Sequence, residues 1–393
     1  MNIREVKLNE IVNIYSGQGA PKEFSEYGRP FIRAGSLEKL QNGDSEFTCE
    51  LLNNELAEKY KMSLYPKNSI VFPKSGMSAK IGRIYKLKND CYVVNHLAVV
   101  VSNNKNKVDP SYLGKWFYYN PPSRLIANDS YPSIKLSQLN NIQILLPTLP
   151  EQKQIVEILD RADSLRQKRR ESIKLLDEFL RSTFLEMFGE FEKKKWPQLK
   201  MIDLAKRKKG SMRTGPFGSS LLHSEFVKEG IAVLGIDNAV ENYFTWKERR
   251  FITPEKYEKL KQYTVYPEDI IITIMGTLGR SAVVPDNIPT AINTKHLACI
   301  TIDKKIANPY FVVYSIQSDP DVVHQLNNKR RGAIMDGLNL TIIKHLKFNL
   351  PPLALQETFV GIMKQTEALK KKLETSQIEL DNQFNALMQR YFG

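Results

Sequence analysis

The chain carries the heptapeptide Leu146-Pro-Thr-Leu-Pro-Glu-Gln152 and, 204 residues later, its counterpart Leu350-Pro-Pro-Leu-Ala-Leu-Gln356. From the two glutamines onward, residues 152–189 align with residues 356–393 without a gap. A long shared segment of this kind indicates an internal duplication rather than two unrelated modules. The sequence therefore predicts a tandem repeat with a period of about 200 residues.

Shorter blocks upstream of each heptapeptide occur in the same order, which makes chance similarity a poor explanation. The matching pairs are Tyr65-Pro66 with Tyr266-Pro267, and His96-Leu-Ala98 with His296-Leu-Ala298. A chain of 393 residues is also longer than one hydrophobic core usually serves. Short β-rich runs, turn signals and helical stretches fill the region before each heptapeptide. We predict an α+β fold with one domain over residues 1–150 and a linker and second domain over residues 190–353.

A long helix is predicted after each heptapeptide, over residues 151–189 and 354–393, and Gly361 is the one internal glycine or proline. Apolar residues recur at alternating steps of three and four, as in a coiled-coil seam. Each amphipathic helix needs a partner, and the other copy is the obvious one. The residues expected to pair the helices in an antiparallel coiled coil are Ile155, Ile158, Ala162, Leu165, Leu176, Leu180, Met187, Phe359, Ile362, Leu369, Leu373, Leu380, Phe384, Leu387 and Tyr391.

The positive charge of the chain is confined to the predicted globular domains. The net charge is +14 at pH 7. Residues 1–150 carry +6 and residues 190–353 carry +8, whereas both helical segments are neutral. Basic globular modules joined by neutral helices are typical of proteins that bind polyanions, although basic charge alone is weak evidence.

Composition also excludes several classes of protein. The three cysteines, Cys49, Cys91 and Cys299, are far apart in the sequence, which argues against a disulfide scaffold and a zinc ribbon. The longest apolar runs, such as residues 97–101, are too short to cross a bilayer, and residues 1–10 do not resemble a signal peptide. We therefore expect a cytoplasmic protein.

The search for catalytic motifs favours a recognition protein over an enzyme. Asn120-Pro-Pro-Ser123 resembles the start of an adenine methyltransferase loop, but a serine cannot stack on a flipped base, so a proline turn after an aromatic helix end is preferred. A nuclease site built on Asp286 and Asp303 has spacing that is common by chance. The sequence contains no nucleotide-binding GxxxxGK[ST] motif, and its five histidines form no metal-spaced cluster. We expect no catalytic and no metal site here, while a single-chain methyltransferase or nuclease and a coiled-coil scaffold remain as alternatives.

The duplicated Leu-Pro-x-Leu-x-x-Gln motif, each copy preceded by a basic α/β module, resembles the specificity (S) subunit of type I restriction–modification enzymes. The resemblance covers essentially the whole chain; the repeats differ at Thr148 and at Leu355. It implies two target-recognition domains, each reading one half of a bipartite site in double-stranded DNA. It also implies that the helices set the spacing with pseudo-two-fold symmetry. The expected partners are two methyltransferase subunits and restriction/translocase subunits. AdoMet, ATP and Mg would be held by those partners, and no cofactor by this chain.

Candidate DNA contacts are chosen where glycine lies beside Lys, Arg, Ser, Thr or Asn, because glycine lets the backbone approach DNA while these side chains bind phosphates and base edges. Loop 74–83 and its counterpart 276–280 are favoured, with a plain hairpin as the alternative. For the basic segment 206–215 the alternative is a solvated surface run. Arg33, Ser36 and Asn238 are included because the resemblance places that strand end near DNA. The full set is Arg33, Ser36, Lys74, Ser75, Lys80, Arg83, Arg124, Ser130, Arg207, Lys208, Lys209, Arg213, Thr214, Asn238, Thr277, Arg280, Lys329, Arg330 and Arg331.

Overall fold

The computed structural model describes residues 4–103, 107–189, 195–331 and 338–393. The chain divides into two compact units. Unit 1 comprises Met1–Arg170 and Thr375–Gly393, and unit 2 comprises Glu171–Glu374. Each unit contains one globular part and a segment of both long helices, so the division falls inside each helix.

In unit 1 the described strands form a four-stranded sheet of order β2-β8-β5-β6, a three-stranded sheet of order β4-β3-β7 and the pair β1-β9. Strands β3 and β7 are parallel, and the other pairs are antiparallel. The strands are β1 (Arg4–Lys7), β2 (Val12–Ser16), β3 (Arg29–Ile32), β4 (Glu50–Leu52), β5 (Ile70–Pro73), β6 (Tyr85–Lys86), β7 (Tyr92–Val93), β8 (Leu97–Ser102) and β9 (Gln143–Leu146). The helices are α1 (Leu37–Gln41), α2 (Asn54–Lys59), α3 (Met77–Ile81), α4 (Pro110–Tyr119), α5 (Leu136–Asn140) and the first part of α6 (Leu149–Phe188).

Unit 2 repeats this plan, with a sheet of order β11-β18-β15-β16, a sheet of order β13-β12-β17-β14 and the pair β10-β19. Its parallel pair, β12 with β17, corresponds to β3 with β7. The strands are β10 (Gln198–Lys200), β11 (Met212–Thr214), β12 (Ile231–Leu234), β13 (Phe251–Ile252), β14 (Thr264–Val265), β15 (Ile270–Thr273), β16 (Ser281–Val283), β17 (Ala291–Asn293), β18 (Leu297–Ile300) and β19 (Lys347–Asn349). The helices are α7 (Met201–Leu204), α8 (Pro254–Leu260), α9 (Pro309–Ser318), α10 (Pro320–Arg331), α11 (Leu340–Lys344) and the first part of α12 (Leu353–Phe392).

The central strands are buried on both faces, which explains why they read as continuous apolar runs. Every residue of β5 and every residue of β15 is buried. Consecutive β-branched residues suit such strands because both faces of the sheet are covered. The predicted α+β fold with two long helices is confirmed, and within the described ranges no helix is both long and apolar enough to cross a membrane.

The glutamine of each heptapeptide fixes the start of a long helix to the loop that follows the central sheet. Gln152 is fully buried, accepts a hydrogen bond from Asp109 N (2.8 Å) and donates to Lys107 O and Pro147 O (both 2.9 Å). Gln356 repeats this, accepting from Asn308 N and donating to the carbonyls of Pro351 and Ile306. A buried amide must satisfy its donors and acceptor, and these sites do so with backbone groups.

Within each unit, α6 and α12 pack along a seam that includes charged residues. In unit 1, Arg166 donates to Asp381 at 2.6 Å and lies over the ring of Phe384 at 4.2 Å. In unit 2, Lys370 pairs with Asp177 at 2.6 Å, and further along α6 Phe184 packs on Phe359. The partner number on α12 falls as that on α6 rises, so the helices of unit 2 run antiparallel.

Three of the expected seam positions are wrong. Ile158, Leu165 and Leu369 are 40%, 56% and 47% exposed. The seam passes one residue later, through Leu159, Arg166 and Lys370. A search for apolar spacing does not count charged residues. The half-buried Arg166, which pairs with Asp381 in the seam, therefore lies outside the register that the sequence predicted. The other expected residues are buried or half-buried: Ile155, Ala162, Leu176, Leu180, Met187, Phe359, Ile362, Leu373, Leu380, Phe384, Leu387 and Tyr391.

Candidate nucleic-acid interface

Four segments of unit 1 converge at one end of its four-stranded sheet, which we call loop end 1. Lys74, which follows β5, donates its backbone N–H to His96 O at 2.9 Å and accepts from Ile134 N at 2.8 Å. Gly17, which follows β2, donates to Leu97 O at 3.0 Å. Loop end 1 therefore combines the loops that begin at residues 17 and 74, the turn at 94–96 and the segment 129–134.

The equivalent segments of unit 2 converge in the same way, and we call their meeting point loop end 2. Ile274 N donates to His296 O at 2.9 Å, and Leu338 N donates to Ile274 O at 3.1 Å. Thr294 N also donates to Leu234 O at 2.9 Å, which adds the loop after β12. The glycine loop and the segment before the last short helix thus lie together in unit 1, and in unit 2 Leu338, the first described residue before the last short helix, meets the equivalent hairpin.

Glycine is required where two of these loops pass the turn between the parallel strand and β8 or β18. A Cβ on Gly17 would lie 2.2 Å from Val94 O, and a Cβ on Gly215 would lie 2.1 Å from Asn293 O. Such contacts leave no space for a side chain. Both units share this close approach, although the loops that follow differ in sequence.

Four of the eight unit 1 candidates lie at loop end 1, namely Lys74, Ser75, Lys80 and Ser130. The favoured loop 74–83 is not a plain hairpin, because it contains helix α3. Ser75 Oγ lies 3.0 Å from His96 Nδ1, and Lys80 forms an ion pair with Asp129 at 3.0 Å. Lys74 is half-buried and Ser130 is exposed.

Three arginine candidates of unit 1 are held by neighbours, and Ser36 is half-buried in the segment after β3. Arg33 pairs with Glu50 at 2.5 Å and lies over the rings of Phe24 and Phe31. Arg83 pairs with Glu38 at 2.9 Å, and Arg124 donates to Asn120 at 3.2 Å. Their side chains must leave these acceptors, or share them, before they can bind a phosphate.

In unit 2 the hairpin 274–280 presents Thr277 and Arg280 at loop end 2. Both are exposed, while Thr214, immediately before Gly215, is half-buried. Gln317 of α9 fixes the returning strand by donating to Ser281 O at 2.8 Å. The hydrogen bond from Gln317 therefore holds the hairpin in place while Thr277 and Arg280 remain exposed.

Two candidates of unit 2 are corrected by the structure. Arg213 is only 7% exposed and pairs at 2.5 Å with Asp269, which is fully buried. Asp269 also accepts from Thr301 Oγ1 at 2.6 Å and from Tyr266 N at 2.9 Å. Arg213 therefore stabilises the interior of unit 2 and is not available to a phosphate.

Asn238 is fully buried and closes its own turn. Its side chain accepts from Gly235 N at 2.8 Å and donates to Thr245 O at 2.7 Å. Both functional groups of the amide are thus committed to the backbone. The prediction that Asn238 contacts DNA is therefore wrong. Like Arg213, it is buried, and its side chain is already bonded within the protein.

The basic residues 206–209 lie at the other end of the sheet from loop end 2. Lys206 N donates to Thr301 O at 2.9 Å, and Thr301 N donates to Ser211 O at 2.8 Å. The segment therefore lies beyond the last residue of β18, whereas loop end 2 lies before its first. Arg207, Lys208 and Lys209 are exposed. The side chains of Lys329, Arg330 and Arg331 lie outside the described part of the chain.

Sequence reasoning missed Lys295, which lies in the turn 294–296 at loop end 2. Burial, together with the positive charges of Lys295 and Arg250, lowers the pKa of His296. A lone lysine beside a histidine gives no sequence signal, so only the hydrogen bonds of the turn reveal its place.

A metal site and a reactive thiol each place requirements on the described residues. Among them, no cluster of three or more His, Cys, Asp or Glu side chains could hold a metal ion. Burial raises the pKa of Cys91 and of Cys299, so neither is a thiolate at neutral pH. Asn120 ends α4, and Pro122–Leu125 forms a 3₁₀ turn, as the proline-turn interpretation predicted.

A family model described as "Type I restriction modification DNA specificity domain" matches residues 2–175 and 188–380. The putative type I restriction enzyme MjaX specificity subunit of Methanocaldococcus jannaschii is 24% identical over 404 residues, covering 96% of this chain and 89% of that protein. The MjaIX specificity subunit of the same organism is 31% identical over 156 residues, covering 37% of this chain and 34% of that protein.

Two solved structures resemble the whole chain. The type I restriction–modification S subunit from M. genitalium has a TM-score of 0.58 at 13% identity, with 100% of this chain and 96% of that chain covered. A chain from a structure on complex assembly and conformational transition of the type I R-M system has a TM-score of 0.61 at 16% identity, with 99% and 97% covered. At these identities the likeness supports a common fold.

Proposed function

Because this chain belongs to the family of type I restriction–modification DNA specificity proteins, with two specificity domains in tandem, we propose that each unit reads one half of a bipartite DNA site. Proteins of this family act with DNA and with other restriction–modification subunits. The convergence of equivalent loops at loop ends 1 and 2 is the observation that carries the proposal. A helix in one loop and a hairpin in the other give the two ends different side chains, as two unlike half-sites require.

The long helices would set the gap between the half-sites and dock two methyltransferase subunits. Each helix has 40 residues, or about 60 Å at the rise of an α-helix. Their neutral charge suits a spacer better than a DNA contact. Removing one turn from both helices should shorten the gap and leave both half-sites unchanged; a changed half-site would contradict the spacer role.

The catalytic steps would belong to partner subunits. AdoMet would act in the methyltransferase subunits, and ATP with Mg in the restriction/translocase subunits. This chain would supply recognition and geometry through its polar loop ends and its helices. The pseudo-two-fold arrangement of the recognition domains, with boundaries at residues 150, 189 and 353, stays a prediction.

Selection from a random duplex library tests the proposal, with the chain reconstituted with a methyltransferase subunit. We expect two short, unlike motifs separated by a fixed gap. Thr277→Ala should relax one motif and Ser75→Ala the other, whereas the exposed Lys228→Ala should relax neither. A single unbroken motif would mean that one unit does not read DNA, and absence of enrichment would refute the proposal.

A further inference from the structure

Three large apolar side chains are strongly exposed at loop end 1, and we call them the apolar patch. Tyr131 is 81% exposed, Met77 is 67% exposed and Ile81 is 60% exposed. A single exposed apolar residue needs no explanation, but several at one place mark a contact surface. The candidate DNA contacts in these segments were selected because they are polar. The apolar patch was therefore not predicted from the sequence.

The fold gathers the patch from two segments that are 50 residues apart in sequence. Met77 and Ile81 are four residues apart on α3, and so share one face, while Ala79 between them is fully buried. Gly76 N, next to Met77, donates at 2.9 Å to Pro132 O, next to Tyr131. The ion pair of Lys80 with Asp129 ties the same segments again.

Glycine at each end of α3 sets the short helix apart from the strand before it. Gly76 has φ +73° and Gly82 has φ +67°, a conformation that other residues rarely adopt. The chain can therefore turn sharply out of β5, form one helical turn and turn again. The turn places the outward face of α3 at the end of the sheet, where Lys74 and Ser75 also lie.

We propose that the apolar patch determines specificity by contacting the 5-methyl groups of thymine in one half-site. This rests on the proposed function, in which loop end 1 reads DNA, and it takes the major groove as the groove that is read, because only that groove distinguishes all four base pairs. Thymine carries the one apolar group on the edges of the four bases in that groove, and apolar side chains are its natural partners. Unit 2 presents Thr277 and Arg280 at the equivalent loop, with Met275 as a less exposed apolar residue (39%), so the patch would give the two half-sites different base requirements.

Deoxyuridine substitution tests the proposal, because it removes the methyl group and leaves base pairing intact. Each thymine of the selected site is replaced singly, and affinity is measured for the reconstituted complex. For the wild-type protein we expect about a fourfold loss of affinity at one or more thymines, the effect of losing the burial of one methyl group. Met77→Ala, Ile81→Ala and Tyr131→Ala should abolish that loss in one half-site and leave the other half-site unaffected.

Leu145→Ala is the matched control, since Leu145 is 53% exposed but lies on β9, in the strand pair beside α6. It should keep the full uracil penalty. A wild-type protein that is indifferent to uracil throughout, or variants that all retain the penalty, would overturn the proposal. Variants that lose the methyltransferase subunit but read DNA normally would assign the patch to a protein partner instead. Failure of the proposed function would be visible earlier, as a wild-type complex that selects no motif.

Discussion

Replacing Arg213 with methionine should destabilise unit 2 by about 3–5 kcal/mol, because it leaves a buried carboxylate without its cation. Asp269 is fully buried, and Arg213 is its ion-pair partner at 2.5 Å. Methionine keeps most of the side-chain volume, so removal of the charge dominates over the change in packing. The remaining hydrogen bonds from Thr301 and Tyr266 cannot supply a positive charge.

Thermal unfolding measures this effect directly. Unit 2 spans Glu171–Glu374, and for a unit of that size the destabilisation corresponds to a melting temperature about 10 °C lower. Asp269→Asn alone should also destabilise the unit. The double variant Arg213→Met/Asp269→Asn should recover part of the stability, because neither charge is then left buried alone.

Lys208→Ala provides the control, since Lys208 is exposed in the neighbouring turn and its removal should change stability by less than about 0.5 kcal/mol. The reasoning would be refuted if Arg213→Met were as stable as this control while DNA affinity fell steeply. Arg213 would then be a DNA contact rather than a part of the interior.

Three other substitutions test separate features. Changing residues 207–209 to alanine should leave the salt dependence of DNA affinity and the selected motif unchanged, because these side chains lie at the other end of the sheet from loop end 2. A salt-dependence slope in fluorescence anisotropy that falls by about 0.9 for each phosphate neutralised would instead return these residues to the interface. Gly215→Ala should lower the melting temperature, because the added Cβ would lie 2.1 Å from Asn293 O. Gly361→Ala is the control and should not lower it, because no described atom outside its own helix lies within 4 Å of the added Cβ. Equal melting temperatures for the two variants would contradict the close approach. Gln356→Leu should lower the free energy of unfolding, measured with urea, by about 1–3 kcal/mol, because it leaves buried backbone groups without hydrogen-bond partners. A smaller effect would mean that water takes the place of the amide.

The duplication and the long helices could be predicted from sequence because both are periodic signals. A gapless match over residues 152–189 and 356–393 requires no knowledge of tertiary contacts. The exact seam could not be predicted, because Ile158 and Leu159 are both apolar and the choice between them depends on Arg166. That arginine is held in the seam by its hydrogen bond to Asp381, a partner more than 200 residues away, which the spacing of apolar residues does not encode.

Glycine led to the loops that we propose face DNA, but the positions of individual polar residues could not be predicted. Arg213 stands six residues after Arg207 in a basic run, yet its partner Asp269 is 56 residues away and nothing local reports the ion pair. Asn238 did carry a local signal, since an asparagine three residues after Gly235 can accept from its backbone N–H. Polarity alone therefore overestimated the set of available DNA contacts.

The two glutamine anchors place the helices at the opposite end of each sheet from the loop ends. Gln152 binds the loop that follows the last residue of β8, while loop end 1 lies before the first residue of that strand. Gln356 has the same relation to β18. Mutations that alter the loops can therefore accumulate without disturbing the attachment of the helices. If each domain reads one half-site as proposed, substitutions in its loops change what that domain reads and leave the framework intact, so a new specificity can arise one half at a time.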